Sequence, residues 1–201
     1  MNSFMKILQR LSTLALLAYL FSSISNLSAQ DLPQATNITA NPGFEEGVKS
    51  WTMSPASTIC DDVFHEGHYS ALIKCKGEGK TLLHISQILP LPPSGSKIDC
   101  SVWVRTSKPE IEYQVYCDIT AQKEGGAPVW FAGPSSGVRK NPDSEWKEVR
   151  LSFTFPIEQT DKDGGIKKMC GFYFRLATRD KYAGDIWFDD VSVVVAPPSS
   201  K

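Results

Sequence analysis

Beyond residue 41 this chain is a succession of short apolar runs of period two, each closed by Gly, Pro, Asn, Asp or Ser. Such a run can bury one side only as a pleated strand, and no segment of helical length carries an apolar stripe of period 3.6. The pattern predicts an all-β chain, with strands near 51–60, 69–76, 82–90, 97–106, 111–121, 129–132, 146–155, 169–178 and 185–195. Turn-forming clusters lie between them, including Gly77-Glu78-Gly79, Pro92-Pro93-Ser94-Gly95, Gly125-Gly126, Asn141-Pro142-Asp143 and Asp163-Gly164-Gly165.

Alternation sorts the side chains into faces. Ile98, Cys100, Val102 and Val104 point one way, against Asp99, Ser101, Trp103 and Arg105. Ile111, Tyr113, Val115, Cys117 and Ile119 oppose Glu112, Gln114, Tyr116, Asp118 and Thr120; Cys170, Phe172, Phe174 and Leu176 oppose Gly171, Tyr173, Arg175 and Ala177. Two sheets with one apolar face each must stack those faces, which makes an antiparallel β-sandwich of two sheets with polar faces outward.

The outward faces carry more than a solvated surface needs. Trp103, Tyr116 and Tyr173 stand among Arg105, Gln114, Asp118 and Arg175. Rings among fixed hydrogen-bonding groups suit a sugar, whose C–H faces lie on an aromatic ring while its hydroxyls seek polar partners. The same rings can instead sit beneath loops or support a curved sheet. Trp130 follows Gly125-Gly126-Ala127-Pro128 and precedes Gly133-Pro134. Either it grips the side of a sugar chain, or it or Phe131 plugs the end of the sandwich.

The first residues read as an export signal: Lys6 and Arg10, an apolar run from Leu11 to Phe21, then Leu27-Ser28-Ala29. Cleavage is expected after Ala29, with 30–40 a flexible leader, 41–196 the domain and 197–201 a tail. The run is too short to span a bilayer and no Cys stands at the cleavage site to accept a lipid. The expectation is a secreted or periplasmic protein without membrane insertion. A formal net charge of −1 and the lack of a basic stripe argue against nucleic acid and for a neutral ligand. Five cysteines cannot all pair within one chain. Cys100, Cys117 and Cys170 fall in phase with buried residues and read as small hydrophobes rather than a disulfide framework; Cys60 with Cys75, which flank a short turn, is the one pair left open as a bridge.

Asn41-Pro42-Gly43-Phe44-Glu45-Glu46-Gly47 followed by Trp51, Gly67-His68-Tyr69-Ser70, Val102-Trp103-Val104-Arg105, Trp146-Lys147-Glu148-Val149 and Ile186-Trp187-Phe188-Asp189-Asp190-Val191 occur in this order. The set resembles the carbohydrate-binding modules of families four, nine and twenty-two over most of residues 41–195. The resemblance implies a jelly-roll sandwich with a glycan lying across one concave sheet, although a wider superfamily of this architecture includes binders of proteins and lipids. It also implies that the first and last strands meet and bring Glu45 near Asp189. With the backbone carbonyls of Gly43 and His68, these acids would hold a structural calcium ion; otherwise they cap turns.

No catalytic signature accompanies these motifs. His65, His68 and His84 match no helical metal motif or triad spacing, and no Gly-x-Ser-x-Gly elbow occurs. Acids at strand ends beside Gly and Asn do not read as the two carboxyls that must flank a scissile sugar bond. The expected function is non-catalytic binding of a polysaccharide or other glycan through Trp103, Arg105, Gln114, Tyr116, Asp118, Trp130, Tyr173 and Arg175. The alternatives are an extracellular sandwich that contacts proteins, and an accessory module or small hydrolase acting on glycosidic bonds.

Overall fold

Period-two burial runs through the longer strands and fixes which side of each faces the core. The structure is a computed structural model that describes residues 34–79, 82–156, 159–160 and 166–198. The expected export signal, the start of the leader, the Asp163-Gly164-Gly165 turn and the end of the tail lie outside the described residues. Among the described residues there is no helix, so none is long and apolar enough to cross a membrane.

The strands are β1 (Thr36–Asn37), β2 (Thr52–Met53), β3 (Ser57–Cys60), β4 (Ser70–Lys76), β5 (Leu82–Leu89), β6 (Lys97–Thr106), β7 (Gln114–Gln122), β8 (Val129–Ala132), β9 (Lys147–Thr154), β10 (Gln159–Thr160), β11 (Ile166–Arg179) and β12 (Ala183–Ala196). One sheet, here sheet A, runs β3-β4-β12-β6-β9 with β1 beside β12; the other, sheet B, runs β2-β5-β11-β7-β8 with β10 beside β11. The described pairings are antiparallel. The fold is the all-β jelly-roll sandwich that the alternation and the ordered motifs predict.

The core lies between the sheets. Ile73, Ile98, Val102, Val104, Ile186, Phe188 and Val193 from sheet A meet Ile85, Val115, Ile119, Phe172, Phe174 and Leu176 from sheet B. Fully burying a Phe or Ile stabilises by about 1.5–3 kcal/mol, which is why the inward positions tolerate little but apolar residues. One inward position of β5 is polar: Gln87 accepts from the Ala40 amide at 2.9 Å and donates to the Ala40 carbonyl at 2.8 Å. Its amide thus acts as a backbone partner for a segment that has no strand beside it there.

The structure departs from the sequence reading at four places. The stretch 30–40 was expected to be a flexible leader, yet Thr36–Asn37 pairs with β12, and Asn37 Oδ1 accepts from Val193 N at 3.1 Å. The run 51–60 is two strands in different sheets, broken at Ser54-Pro55-Ala56. Cys170 is not an inward core residue: it sits in a bulge between Met169 and Gly171 with Sγ 3.5 Å from the Thr120 hydroxyl. Cys60 is opposite Ser70, so Cys75 lies five residues, roughly 16 Å, further along β4, and these two cannot bridge.

Candidate functional site

Sheet membership divides the expected sugar-binding residues. β7 and β11 are neighbours in sheet B, so Gln114, Tyr116, Asp118, Tyr173 and Arg175 share its outer face. Trp103 and Arg105 lie on β6, in sheet A, and face the opposite side of the molecule. The single platform of eight residues is therefore corrected to five on one face, with Trp130 beside them on β8 and two on the other sheet.

Antiparallel register arranges the sheet B face in rows that cross β5, β11, β7 and β8. Ile88, Tyr173 and Asp118 form one row; Ser86, Arg175 and Tyr116 form the next, which Ser135 extends. His84, Ala177 and Gln114 follow on one side, and Gly171, Thr120 and Trp130 on the other. The β5 residues His84, Ser86 and Ile88 were not singled out from the sequence, although their alternation with Leu83, Ile85 and Leu89 is legible there.

The groups on this face hold one another in place. Arg175 Nη2 donates to Asp118 Oδ2 at 2.7 Å, and its guanidinium carbon lies 4.6 Å from the centre of the Tyr116 ring. The Tyr116 hydroxyl donates to Gln114 Oε1. Charge pairing and ring stacking thus fix a planar guanidinium between two aromatic positions, at little conformational freedom. Gly171 serves a different purpose. A Cβ there would lie 2.7 and 2.9 Å from atoms of the Tyr173 ring and against the Thr120 hydroxyl. The missing side chain lets the phenol ring lie down over β11 toward Thr120, in the row that ends at Trp130.

Trp130 does not plug the end of the sandwich. Its side chain is exposed, at 66 % of its full accessible surface, while Phe131 packs against the core. Alternation on a short edge strand sends the indole out and the phenyl in.

On the opposite side, Trp103 lies beneath the loop between β3 and β4. The His65 ring stacks on it at 4.0 Å and 14°, and Trp146 meets His65 edge-on at 5.7 Å. Arg105 lies over Trp187 at 5.9 Å. This aromatic stack covers an acidic cluster. Asp189 is fully buried, its Oδ2 accepting from His65 N at 2.7 Å and Glu66 N at 3.4 Å. Glu45 Oε1 accepts from His68 N at 2.9 Å and Tyr69 N at 3.1 Å. Asp190 Oδ2 is 2.6 Å from His65 Nδ1, and a Cβ at Gly43 would stand within 4 Å of Asp189, Asp190 and Glu45.

Local sequence builds that cluster. Asn41 and Phe44 hold positive φ of 48° and 60°, and the Asn41 amide ties the turn by donating to Gly47 O at 2.9 Å and accepting from Glu46 N at 3.0 Å. Buried Phe44 packs on Trp51 with ring centres 4.9 Å apart. On β12 a bulge between Asp189 and Ser192 puts Asp190 at φ 48°, and Val191 N bonds to Pro42 O at 3.0 Å. Gly67, at φ 70°, leaves room for the Glu45 carboxylate, where any side chain would collide with it. Four expected ligand positions, Gly43, Glu45, His68 and Asp189, come together with His65, Glu66 and Asp190, which the sequence reading had not included as ligands.

Burial pushes the Asp189 carboxyl up to about 7 and the nearby Asp190 charge adds to this, against the lowering effect of the His65, Asp190 and Glu66 amides. Among the described residues, ligand atoms of His65, Glu66 and Asp190 lie within 4.8 Å of one another and could hold a metal ion, while both Asp189 oxygens and Glu45 Oε1 accept from backbone amides.

The two sheets form a jelly-roll sandwich, a fold found in solved carbohydrate-binding modules and in other proteins. Neither a protein-family model nor a curated protein matches the sequence. Among solved structures the chain is similar to a family 16 carbohydrate-binding module, with 16 % identity, TM-score 0.55, and coverage of 78 % of this chain and 99 % of that one. It is similar to the CBM22-1 xylan-binding domain of Paenibacillus barcinonensis Xyn10C, with 11 % identity, TM-score 0.53, and coverage of 84 % and 97 %. A Stig cyclase of Fischerella sp. TAU shares the fold at 16 % identity and TM-score 0.55, covering 83 % and 100 %.

Proposed function

We propose that the protein is a non-catalytic glycan-binding module that works outside the cytoplasm, lays a polysaccharide along the outer face of sheet B, and carries a structural Ca²⁺ ion on sheet A. The observation that carries this reading is the ordered outer face of sheet B: the Arg175 guanidinium fixed by Asp118 and Tyr116, the neighbouring Tyr173 ring reaching over Gly171, and exposed Trp130 at the end of the Gly171–Thr120 row. Flat rings take the C–H faces of sugar units, and Arg175, Asp118, Gln114, Ser86 and His84 offer hydrogen bonds to hydroxyls. The solved modules of similar fold that are named for carbohydrate or xylan binding support the same reading. Binding on an open face of this kind falls in the micromolar to millimolar range, since few contacts are fully desolvated.

Catalysis has little to work with on this face. Asp118 is its central carboxylate and is held in an ion pair with Arg175. A glycosidase needs a second carboxyl across the bond. Affinity electrophoresis of the Ca²⁺-loaded protein in gels holding xylan, mixed-linkage β-glucan, mannan or pectin tests the reading, with a reducing-sugar assay run beside it. Retardation without released sugar is the expected result. Unretarded migration in every gel rejects glycan binding, and sugar release rejects the non-catalytic role.

Two substitutions separate the faces. Trp103→Ala removes a half-buried stacked indole on sheet A and should cost about 1–2 kcal/mol, lowering Tm by roughly 3–6 °C, while glycan affinity stays within about twofold. Gly171→Ala acts on sheet B. It should lift the Tyr173 ring and weaken binding by roughly threefold to tenfold, about 0.7–1.4 kcal/mol, with little change in Tm. Calorimetric titration and thermal denaturation of both variants would read the two effects side by side, and the reverse pattern would mean that the face is misassigned.

A further inference from the structure

The five cysteines are free, and two of them face each other across the core. Cys100 on β6 and Cys117 on β7 have their sulfurs 3.4 Å apart, at 4 % and 0 % exposure. β6 belongs to sheet A and β7 to sheet B, so this contact crosses from one sheet to the other. We propose that Cys100 and Cys117 are a disulfide site that staples the two sheets, oxidised by a protein or low-molecular-weight disulfide before the sandwich closes.

Position selects this pair. Cys60 and Cys75 are held roughly 16 Å apart by the β3–β4 register, and Cys170 sits in the β11 bulge against Thr120. One bridge and three thiols also account for an odd number of cysteines. To reach the S–S bond length of about 2.05 Å the two sulfurs need approach by only about 1.4 Å, a movement that side-chain rotation can supply. Bridges between the two sheets of a sandwich are an established way to tie such a core.

The exchange balances as follows. The thiolate of one cysteine attacks the oxidant's disulfide, forming a mixed disulfide and releasing one oxidant thiolate. The second cysteine, losing its proton, attacks the mixed disulfide and displaces the other oxidant thiolate. Cys100 and Cys117 lose two protons and two electrons, and the oxidant's disulfide becomes two thiols. Contact with Cys100 and burial raise the Cys117 thiol well above its ordinary value. In the closed sandwich a thiolate therefore forms rarely and no oxidant reaches it, which places the reaction on the open chain.

The test uses the full chain refolded from the reduced, denatured state in a buffer of reduced and oxidised glutathione. It is then alkylated under denaturing conditions and weighed intact. Three alkyl groups and a Cys100–Cys117 linked peptide are expected. The bridge should survive millimolar dithiothreitol until denaturant is added, and the bridged form should melt roughly 5–10 °C above the reduced one. Cys117→Ala should show four alkyl groups and no linked peptide. Five alkyl groups on the wild type, or a linked peptide that joins other cysteines, overturns the proposal, and the wild-type measurement stands whether or not the variant folds.

Discussion

Tyr173→Ala should leave Tm within about 3 °C of wild type and weaken glycan binding by roughly thirtyfold, about 2 kcal/mol. The effect is large because the ring is pre-positioned. It lies over Gly171 before any ligand arrives, so its stacking energy is not spent on ordering a side chain. Arg175→Ala should bring a comparable loss by a different route: Asp118 is left without its cation, and the Tyr116 ring without the guanidinium above it. Arg175→Lys should recover only part of it, since an ammonium neither stacks as a plane nor presents a fork of donors. Unchanged affinity in Tyr173→Ala, measured by calorimetry with the best glycan from the gels, would remove sheet B from consideration as the binding face.

The second large effect concerns the acids beneath the Trp103 stack. Calcium at a hundredfold excess over its Kd should stabilise the fold by about 2.7 kcal/mol, so EDTA should lower Tm by roughly 5–10 °C. Asp189→Asn sharpens the test. Both carboxylate oxygens accept from backbone amides, so an Asn amide nitrogen would face buried N–H donors and the calcium-free variant should melt below wild type. If the carboxylate is a ligand, the rise in Tm on adding calcium should shrink or vanish in the variant. If EDTA leaves the wild-type melting curve unmoved, the acids serve only to cap the loop amides of His65, Glu66, His68 and Tyr69. Glycan affinity measured with and without calcium then separates a structural ion from one at the sugar.

Much of the fold was legible in the residues because burial and alternation report the same thing. Ile98, Val102 and Val104, or Phe172, Phe174 and Leu176, can be assigned to the core from spacing alone, and the structure buries each of them. Which sheet a strand joins is another matter. β6 and β7 follow one another in the chain with matching patterns, yet they sit in opposite sheets, so Trp103 and Tyr116 look in opposite directions. Period two assigns a face to each residue of a strand and carries no information about that strand's neighbours. The bulges at Cys170 and at Asp190 were hidden for a related reason, since one extra residue resets the phase without leaving a mark in composition.

The contact of Trp103 with His65 was equally out of reach, because it depends on how a loop drapes over a strand distant in sequence. The acidic site was read more fully. Glu45 and Asp189 announced themselves through ordered motifs at both ends of the domain, while the parts of His65, Glu66 and Asp190 in the cluster needed coordinates.

β12 is the last strand of the sandwich in chain order and lies in the interior of sheet A, between β4 and β6, with β1 alongside. A sheet whose middle arrives last cannot close in the order of synthesis. Until β12 is delivered, β4 and β6 have no common partner, and Glu45 waits for Asp189 from across the whole length of the domain. Such separation predicts slow, late and highly cooperative folding, and a growing chain that stays open until its final segment is in hand.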